Sequence, residues 1–277
     1  MELYENSYNK ENHFSFGKNW QNFLKTLTQE KIEEAKKSLI IFLGGKDKIK
    51  DKTFIDIGCG SGLFSLAAYL LGASEIVSVD VDDFSIACTQ YLKKEHGNPL
   101  NWKIVKGSAL NKNFITTLGQ FDIVYSWGVL HHSGDMYKAF ANIINLVKQE
   151  GLFYLAIYNE NINEKKEGTS KLWLKIKEFY NKSNFLIKKI MLSIYIFWFI
   201  SGLIFSGKNP YKYIKNYKSN RGMNWINDLI DWIGGYPYEY ASITTITNYF
   251  KKEGFSCINI SPARSIGCNE FLLKKLA

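Results

Sequence analysis

Residues 54–62 read Phe54-Ile55-Asp56-Ile57-Gly58-Cys59-Gly60-Ser61-Gly62, a short apolar run that ends in alternating glycines. Apolar residues at helical spacing follow over residues 63–71, so the stretch predicts a strand, a tight turn and a helix. Glycine reaches positive φ without steric cost, and such a turn lets the backbone approach a ligand closely. Because similar turns occur in several nucleotide-binding sheets, the segment alone predicts only an α/β fold with a ligand at this turn.

The alternation of strand and helix patterns around this turn predicts the rest of the sheet. Helical patterns at 84–95 and 136–149 separate short apolar runs, and a further helical pattern ends at Gly254. The strand-like runs lie at 75–81, 102–105, 121–126, 152–157, 256–260 and 269–273. Buried strands that alternate with amphipathic helices are typical of a parallel sheet covered on both faces.

Two further features indicate which kind of nucleotide-binding sheet contains the glycine turn. Asp80 ends the second strand about twenty residues after the last glycine, and the fourth strand reads Phe121-Asp122-Ile123-Val124-Tyr125-Ser126-Trp127-Gly128-Val129-Leu130-His131-His132. With Asp56, these residues resemble the S-adenosylmethionine-binding core of class I methyltransferases over residues 50–160. The resemblance implies a Rossmann-like, seven-stranded α/β sheet whose last strand inserts antiparallel. It also implies S-adenosyl-L-methionine as cofactor and S-adenosyl-L-homocysteine as product.

The resemblance assigns cofactor contacts residue by residue. In the family, the glycines pass under the methionine part, an acid after the second strand holds the ribose, and the loop after the third strand flanks the adenine. The matching residues here are Asp56, Gly58, Gly60, Gly62, Asp80, Ser108 and Ala109, with Trp127 at the end of the fourth strand. Many relatives carry an acid where this chain has Ser108. Relatives also fold an N-terminal aromatic segment over the cofactor, here through Trp20, whose alternative role is to anchor a helix in the core.

Two adjacent histidines, His131 and His132, follow the fourth strand at the edge where such sheets bind ligands. An unperturbed imidazole titrates at about 6.5, which suits a general base. We expect one of them, with His132 favoured, to take the proton of an acceptor hydroxyl, and Glu239 is a further catalytic candidate. The alternative is a structural histidine that caps the following helix. Methyl transfer from a sulfonium needs mainly alignment and exclusion of water, so a base is not obligatory.

The chain length of 277 residues fits one domain with an addition. We predict a helical N-terminal cap over residues 1–50, in which apolar residues at helical spacing predict a helix from Trp20 to Leu43. The Rossmann-like core is predicted over residues 51–158 and 243–277. Residues 159–242 read as a helical insertion that forms a lid or substrate region.

The end of the insertion carries a second signature, from Arg221-Gly222-Met223 through Asp228 to Glu239. It resembles a subgroup of bacterial methyltransferases that are often placed in surface-polysaccharide gene sets and loosely labelled ubiquinone-type. Arg221 can grip a phosphate or carboxylate bidentately, and a rigid Gly-Gly and Pro turn can present Tyr236 and Tyr238. These three residues are the substrate-binding candidates. The alternative for Arg221 is a structural pair with an acid that joins the insertion to the core.

The formal net charge of +9 is concentrated in residues 160–223, which hold thirteen Lys or Arg and four Glu. This field can attract a phosphorylated ligand, an anionic membrane or nucleic acid, or it can be a solvated surface. Residues 190–205 in its middle carry no charge, whereas a spanning helix needs about 20 apolar residues. A lid helix pair, a membrane-surface helix over 185–205 and a true span are the three interpretations, in that order.

The four cysteines are scattered without metal-ligand spacing or a disulfide framework, and the N-terminus lacks a secretory signal. We therefore predict no metal site and a cytoplasmic protein, with membrane association as an alternative.

The predicted function is an S-adenosylmethionine-dependent methyltransferase that O-methylates a small anionic or sugar-type metabolite in surface-polysaccharide biosynthesis. The alternatives are a membrane-associated lipid or quinone-precursor methyltransferase, an RNA methyltransferase, and a non-catalytic regulatory protein that binds the cofactor. The sequence favours a small-molecule partner over nucleic acid, and no obligate protein partner is evident.

Overall fold

The computed structural model describes residue 14 and residues 16–162, 168–217, 225–263 and 267–277. Within these ranges, one sheet has the strand order β3-β2-β1-β4-β5-β7-β6. Its strands are β1 (Thr53–Ile57), β2 (Glu75–Asp80), β3 (Trp102–Lys106), β4 (Phe121–Trp127), β5 (Val147–Tyr158), β6 (Phe255–Ser261) and β7 (Cys268–Lys275). The helices are α1 (Phe16–Leu24), α2 (Gln29–Leu43), α3 (Leu63–Leu70), α4 (Asp83–Glu95), α5 (Lys112–Thr116), α6 (Met136–Ile143), α7 (Ser170–Lys182), α8 (Phe185–Phe205), α9 (Pro210–Lys215), α10 (Trp225–Gly234) and α11 (Ile243–Lys252).

The strand directions confirm the predicted Rossmann-like α/β fold. Strands β1 to β5 pair in parallel, whereas β7 runs antiparallel to both of its neighbours, β5 and β6. The carboxyl ends of β1, β2, β3 and β4 therefore meet at one edge of the sheet, which is where open α/β sheets bind ligands.

The sheet separates two apolar cores because successive side chains of a strand point to opposite faces. On β1, Phe54 packs with Ile123 of β4 in the core beneath α2 and α3. The next residue, Ile55, faces the other core with Val124, beneath α6 and α11. All four side chains are fully buried, so both faces of the central strands are covered.

Two predicted helices differ from the observed elements. The stretch predicted as one helix from Trp20 to Leu43 is two helices, because the Thr28 side chain accepts from the Lys31 N–H and starts α2 afresh. The pattern at 136–149 ends earlier, at Ile143, since Val147 already pairs with Phe121 of β4. Pairing with a neighbouring strand thus overrides the helical spacing there.

Helices α7 to α10, within residues 170–234, form a separate unit that we call the helical cap. It is distinct from the N-terminal cap predicted over residues 1–50. The aromatic core of the helical cap contains Trp173, Tyr180 and Tyr195, and Tyr238, which follows α10 in the chain, packs into the same core. The cap joins the sheet where β5 ends, because the Ala241 N–H donates to the Tyr158 carbonyl at 3.0 Å. It also joins α1, since the Asn19 side chain donates to the Asn227 carbonyl at 3.0 Å.

One lysine of the cap is fully buried. Lys177 of α7 donates to the Trp232 carbonyl, and its ammonium lies over the rings of Trp232 at 4.2 Å and Tyr238 at 4.8 Å. Burial lowers the pKa of Lys177 to about 7, against the attraction of Asp231, which raises it. The folded cap therefore holds this amine close to its point of deprotonation at neutral pH.

We predict that the free energy of unfolding rises with pH because of Lys177. The folded chain releases this proton at about pH 7, whereas the unfolded chain retains it to the ordinary lysine range. The unfolded state thus binds more protons between these values, which favours folding as pH rises. Relative to Lys177→Met, the wild type should gain about 1.4 kcal/mol per pH unit above neutrality. Urea titrations at several pH values measure the difference.

The matched control is Lys175→Met, since Lys175 lies on the same helix and is exposed. Its unfolding free energy should follow the wild type at every pH. Parallel pH curves for the wild type and Lys177→Met would contradict the burial of this amine.

Candidate functional site

A cavity of about 990 Å³, measured to its open mouth, lies above the carboxyl ends of the central strands. The sheet edge, the N-terminal helix and the end of the cap all contribute to its wall. The wall includes Phe14, Phe16, Trp20, Gly58, Gly60, Asp80, Ser108, Ala109, Trp127, Val129, His132 and Tyr236. Of the predicted site residues, Trp20, Gly58, Gly60, Asp80, Ser108, Ala109, Trp127, His132 and Tyr236 come together here.

The glycine turn after β1 forms the floor of the cavity. Gly58 and Gly60 have φ of 77° and 55°, a region that disfavours residues with a Cβ. A Cβ on Gly60 would lie 2.7 Å from Trp20 Nε1, so the indole covers this glycine closely. Gly62 is not part of the wall; a Cβ there would meet Thr89 of α4 at 2.8 Å. The third glycine therefore permits helix packing rather than access to the cavity.

Asp80 presents a carboxylate at the end of β2. Its two oxygens accept from the backbone N–H groups of Gly60 at 3.0 Å and Asp82 at 2.9 Å. Burial raises the pKa of Asp80 to about 6, and the two N–H donors oppose that shift. The group is therefore ionised at neutral pH, and each oxygen has a further lone pair to offer a donor in the cavity.

Asp56 lies beneath the turn rather than in the cavity wall. Its carboxylate accepts from Ser65 Oγ at 2.7 Å, Ser65 accepts from Ser78 Oγ at 2.7 Å, and Ser78 accepts from Trp102 Nε1 at 2.8 Å. Burial raises the pKa of Asp56 to about 7. This chain of hydrogen bonds links β1, α3, β2 and β3, so Asp56 braces the strand that carries the glycines.

The loop after β3 forms a second side of the cavity. The Ser108 hydroxyl accepts from the Leu110 N–H at 3.2 Å and keeps its own proton available for donation. The Ala109 carbonyl is held by the Asn142 side chain at 2.8 Å. Trp127 ends β4 and lies in the wall as well. The hydrogen bonds of Ser108 and Ala109 fix the backbone of the loop, and Asn142 attaches it to α6.

The two histidines adopt different roles. His132 lies in the cavity wall, and its Nδ1 lies 2.5 Å from the Pro237 carbonyl oxygen. A carbonyl only accepts, so Nδ1 carries a proton, and in the neutral ring the lone pair is on Nε2. His131 is fully buried outside the wall, and its Nδ1 accepts from the Tyr158 N–H at 3.3 Å. Burial, with the nearby His132 and Lys177, holds the pKa of His131 well below its ordinary value.

These contacts argue against a proton-accepting role for His131, because its lone pair is used by the backbone. The Glu239 carboxylate accepts from the Met136 N–H at 3.1 Å, at the start of α6, and lies outside the wall. It caps that helix instead of facing the cavity. Tyr238 is buried against Lys177 in the cap core. Arg221 lies outside the described residues.

Several site residues were missed as individual candidates. Phe14 and Phe16 belong to the aromatic N-terminal segment, which was the signal for them, but only Trp20 was chosen. The Phe16 ring lies 4.8 Å from that of His132, and a Cβ on Gly58 would lie 2.3 Å from Val129. Pro237 orients His132 from a distant part of the chain, and no local pattern indicates that contact.

The comparisons with known proteins agree with this geometry. A family described as methyltransferase domain matches residues 48–216. The ribosomal protein L11 methyltransferase of Acinetobacter baylyi is 31% identical over 126 residues, which cover 44% of this chain and 40% of that protein. The ubiquinone biosynthesis O-methyltransferase of Glaesserella parasuis is 29% identical over 109 residues, 39% of this chain and 46% of that protein. The chain thus spans less than half the length of these curated relatives.

A solved structure gives the same fold. The magnesium protoporphyrin IX methyltransferase of Synechocystis, crystallised with bound SAH, superposes with a TM-score of 0.54 at 12% identity, covering 93% of both chains. The family match covers more than half of the chain and includes the glycine turn, Asp80 and the fourth strand. The chain therefore belongs to the methyltransferase-domain family and is a class I, S-adenosylmethionine-dependent member of it.

Proposed function

We propose that this chain O-methylates a small anionic or sugar-type acceptor, with His132 as the proton acceptor. S-adenosylmethionine supplies an electrophilic methyl group on a sulfonium, and the residues of the cavity bind and align it. The observation that carries the proposal is the place of His132, an imidazole in the same wall as the glycine turn and Asp80.

The chemistry of the wall fits the proposed cofactor. Asp80 offers carboxylate lone pairs to the two ribose hydroxyls. Gly58 and Gly60 bring the backbone of the turn to the cavity, and their missing side chains make room for Val129 and Trp20 in the wall. Ser108 and Ala109 lie where the adenine would be flanked, and Trp20 covers the turn from above. Asp56 and Gly62 support this arrangement from beneath.

His132 can take the acceptor's proton without a change of tautomer. The bond to the Pro237 carbonyl holds the proton on Nδ1 and orients the ring. The cofactor, held by Asp80 and the glycine turn, would supply an electrophilic methyl carbon to the acceptor oxygen, and its sulfur would keep the electron pair of the carbon–sulfur bond. The hydroxyl proton passes to Nε2, so the transfer needs no charged alkoxide in the cavity.

The remaining wall supports the proposed kind of acceptor. Phe16 and Tyr236 are ring surfaces on which the faces of a sugar can pack, and Trp127 adds a third. The excess positive charge of residues 160–223 favours an anionic molecule. We retain Arg221 as a candidate to hold that anion, and Tyr236 as a second substrate-binding candidate. A role in surface-polysaccharide biosynthesis is the context we propose.

A lipid or quinone precursor is the second candidate acceptor, and one observation favours it. Helix α8 is long and apolar enough to cross a membrane by length and composition, and only 6% of its apolar window is buried. A methyltransferase attached to a bilayer has direct access to lipid acceptors. The four free cysteines fit the reducing cytoplasm that we propose for either activity.

The Asp80 carboxylate predicts a pH-dependent affinity for the cofactor. Below about pH 6 the group is protonated and loses acceptor capacity, so S-adenosylmethionine should bind more weakly as pH falls through that value. Asp80→Asn should lower the affinity at neutral pH by about tenfold to a hundredfold, since hydrogen bonds to charged groups contribute about 1.5–3 kcal/mol. Its affinity should also change little with pH. Calorimetric titration measures both effects.

Asp83→Asn is the matched control, because Asp83 is an exposed acid on the next helix that pairs with Lys106 at 2.6 Å. It should bind the cofactor as the wild type does. Equal affinity of Asp80→Asn and the wild type would contradict a role of Asp80 in binding the cofactor.

A pair of glycine substitutions separates cofactor binding from backbone strain. Gly60 and Gly97 both have positive φ, but a Cβ on Gly97 meets nothing within 4 Å. Each Gly→Ala change should cost about 1–2 kcal/mol of stability through strained backbone alone. Only Gly60→Ala should also lose cofactor affinity, because its methyl collides with Trp20 in the cavity. Thermal unfolding and calorimetry on both variants test this, and an equal loss of affinity would contradict it.

His132→Gln should lower kcat by about a hundredfold or more, the usual range for loss of a general base. Cofactor affinity should not change, since the variant keeps a polar group facing the Pro237 carbonyl. Transfer of labelled methyl groups to acidic sugars, sugar nucleotides and quinone precursors identifies the acceptor and provides the rate.

His96→Gln is the matched control, because His96 Nδ1 also contacts a backbone carbonyl, that of Leu92 at 2.9 Å, away from the cavity. Wild-type turnover by His132→Gln on an accepted substrate would exclude the base. Cofactor binding without transfer to any acceptor would favour the regulatory alternative.

A further inference from the structure

Helix α8 presents an apolar surface to the outside of the molecule. Residues that recur about every third or fourth position, one helical turn apart, are exposed on the same side. We call this set the α8 surface: Leu186 at 66%, Ile190 at 50%, Ile194 at 63%, Phe197 at 75%, Ile204 at 58% and Phe205 at 91% exposed. Contiguous apolar side chains of this size mark a site of contact with a partner or a membrane.

The opposite side of α8 packs against the other helices of the cap. Tyr195 and Leu203 are buried, and Tyr195 packs against Trp173 of α7 with ring centroids 5.4 Å apart. Phe199 lies against Trp225 of α10 at 5.9 Å. A helix held along one side by protein cannot be surrounded by lipid. This packing therefore favours a helix that lies in the plane of a membrane surface over one that crosses it.

The charges around α8 indicate which kind of surface the helix contacts. Residues 179–227 contain eight Lys or Arg and no Asp or Glu. Lys189 near the start of α8, and Lys208 and Lys212 after its end, are exposed. Lysines that flank an apolar helix place their ammonium groups at the level of lipid phosphates while their stems remain among apolar neighbours. The pattern is complementary to an anionic bilayer and unfavourable for contact with another copy of this basic segment.

We propose that α8 lies in the plane of an anionic phospholipid bilayer, with the α8 surface inserted below the headgroups and the flanking lysines on the phosphates. The helix has 21 residues, which corresponds to about 32 Å of contact at 1.5 Å per residue. The cap then attaches the enzyme to the membrane. This attachment is independent of methyl transfer, because no residue of the α8 surface lies in the cavity wall.

Vesicle flotation with the full chain tests the proposal. The wild type should float with vesicles of phosphatidylcholine mixed with phosphatidylglycerol, and at least about tenfold less with phosphatidylcholine alone, since each lysine near an anionic surface contributes about a factor of five. Ile194→Ser/Phe197→Ser should reduce flotation by about tenfold or more, because two inserted apolar side chains are lost.

The control pair is Ile41→Ser/Leu100→Ser, which removes two side chains of similar size, 77% and 95% exposed, outside the helical cap. It should float as the wild type does. All substituted side chains are exposed, and calorimetry with S-adenosylmethionine on the same samples checks that the cavity is intact. Failure of flotation with normal cofactor binding overturns the membrane proposal and leaves the proposed activity standing.

Two further results would overturn it. One is equal flotation of the wild type and Ile194→Ser/Phe197→Ser. The other is a wild-type dimer in light scattering that this variant converts to a monomer, without vesicle binding, because the α8 surface would then contact a second copy of the chain.

Discussion

The hydrogen bond from the Gly60 N–H to the Asp80 carboxylate, 3.0 Å long, is the contact on which the site depends. It connects the turn after β1 to the end of β2 and holds both at the carboxyl ends of the strands, beneath the cavity. Only a residue without a Cβ fits φ of 55° beneath Trp20. The carboxylate is buried at a cost that raises its pKa to about 6. A ligand that brings hydroxyl donors to Asp80 offsets this cost, so the desolvation of the carboxylate favours such a ligand.

The candidate base is positioned by parts of the chain that lie far from it in sequence. His132 follows β4, yet the Pro237 carbonyl that fixes its tautomer comes after the cap. The neighbouring His131 links the same regions, because its carbonyl accepts from the Glu239 N–H at 2.9 Å. The positions of both histidines therefore depend on contacts with residues 236–239. A core without the insertion would keep the cofactor floor and lose the orientation of the imidazole.

Local patterns explain what the sequence could predict. The parallel strands, the glycine turn and Asp80 depend on alternation and spacing within single strand–turn–helix units, and all were predicted. The antiparallel β7 was expected only from the family resemblance. The different environments of His131 and His132, the burial of Lys177 and the position of Asp56 beneath the turn depend on contacts between distant segments. Identical residue types were therefore indistinguishable in the sequence. The early end of α6 has the same origin, because pairing of Val147 with Phe121 of β4 is a non-local contact.

The helical cap reverses the usual distribution of side chains. Lys177 is buried within it, whereas Phe197 and Phe205 face outward. Each arrangement is costly in water, since a buried amine loses hydration and exposed rings order the solvent. The aromatic cage offsets the first cost, and an apolar environment outside α8 would offset the second. Because α10 packs on α8 and leads into Tyr236 of the cavity wall, one structural unit carries the α8 surface on its outside and adjoins the wall on which the proposed acceptor would rest.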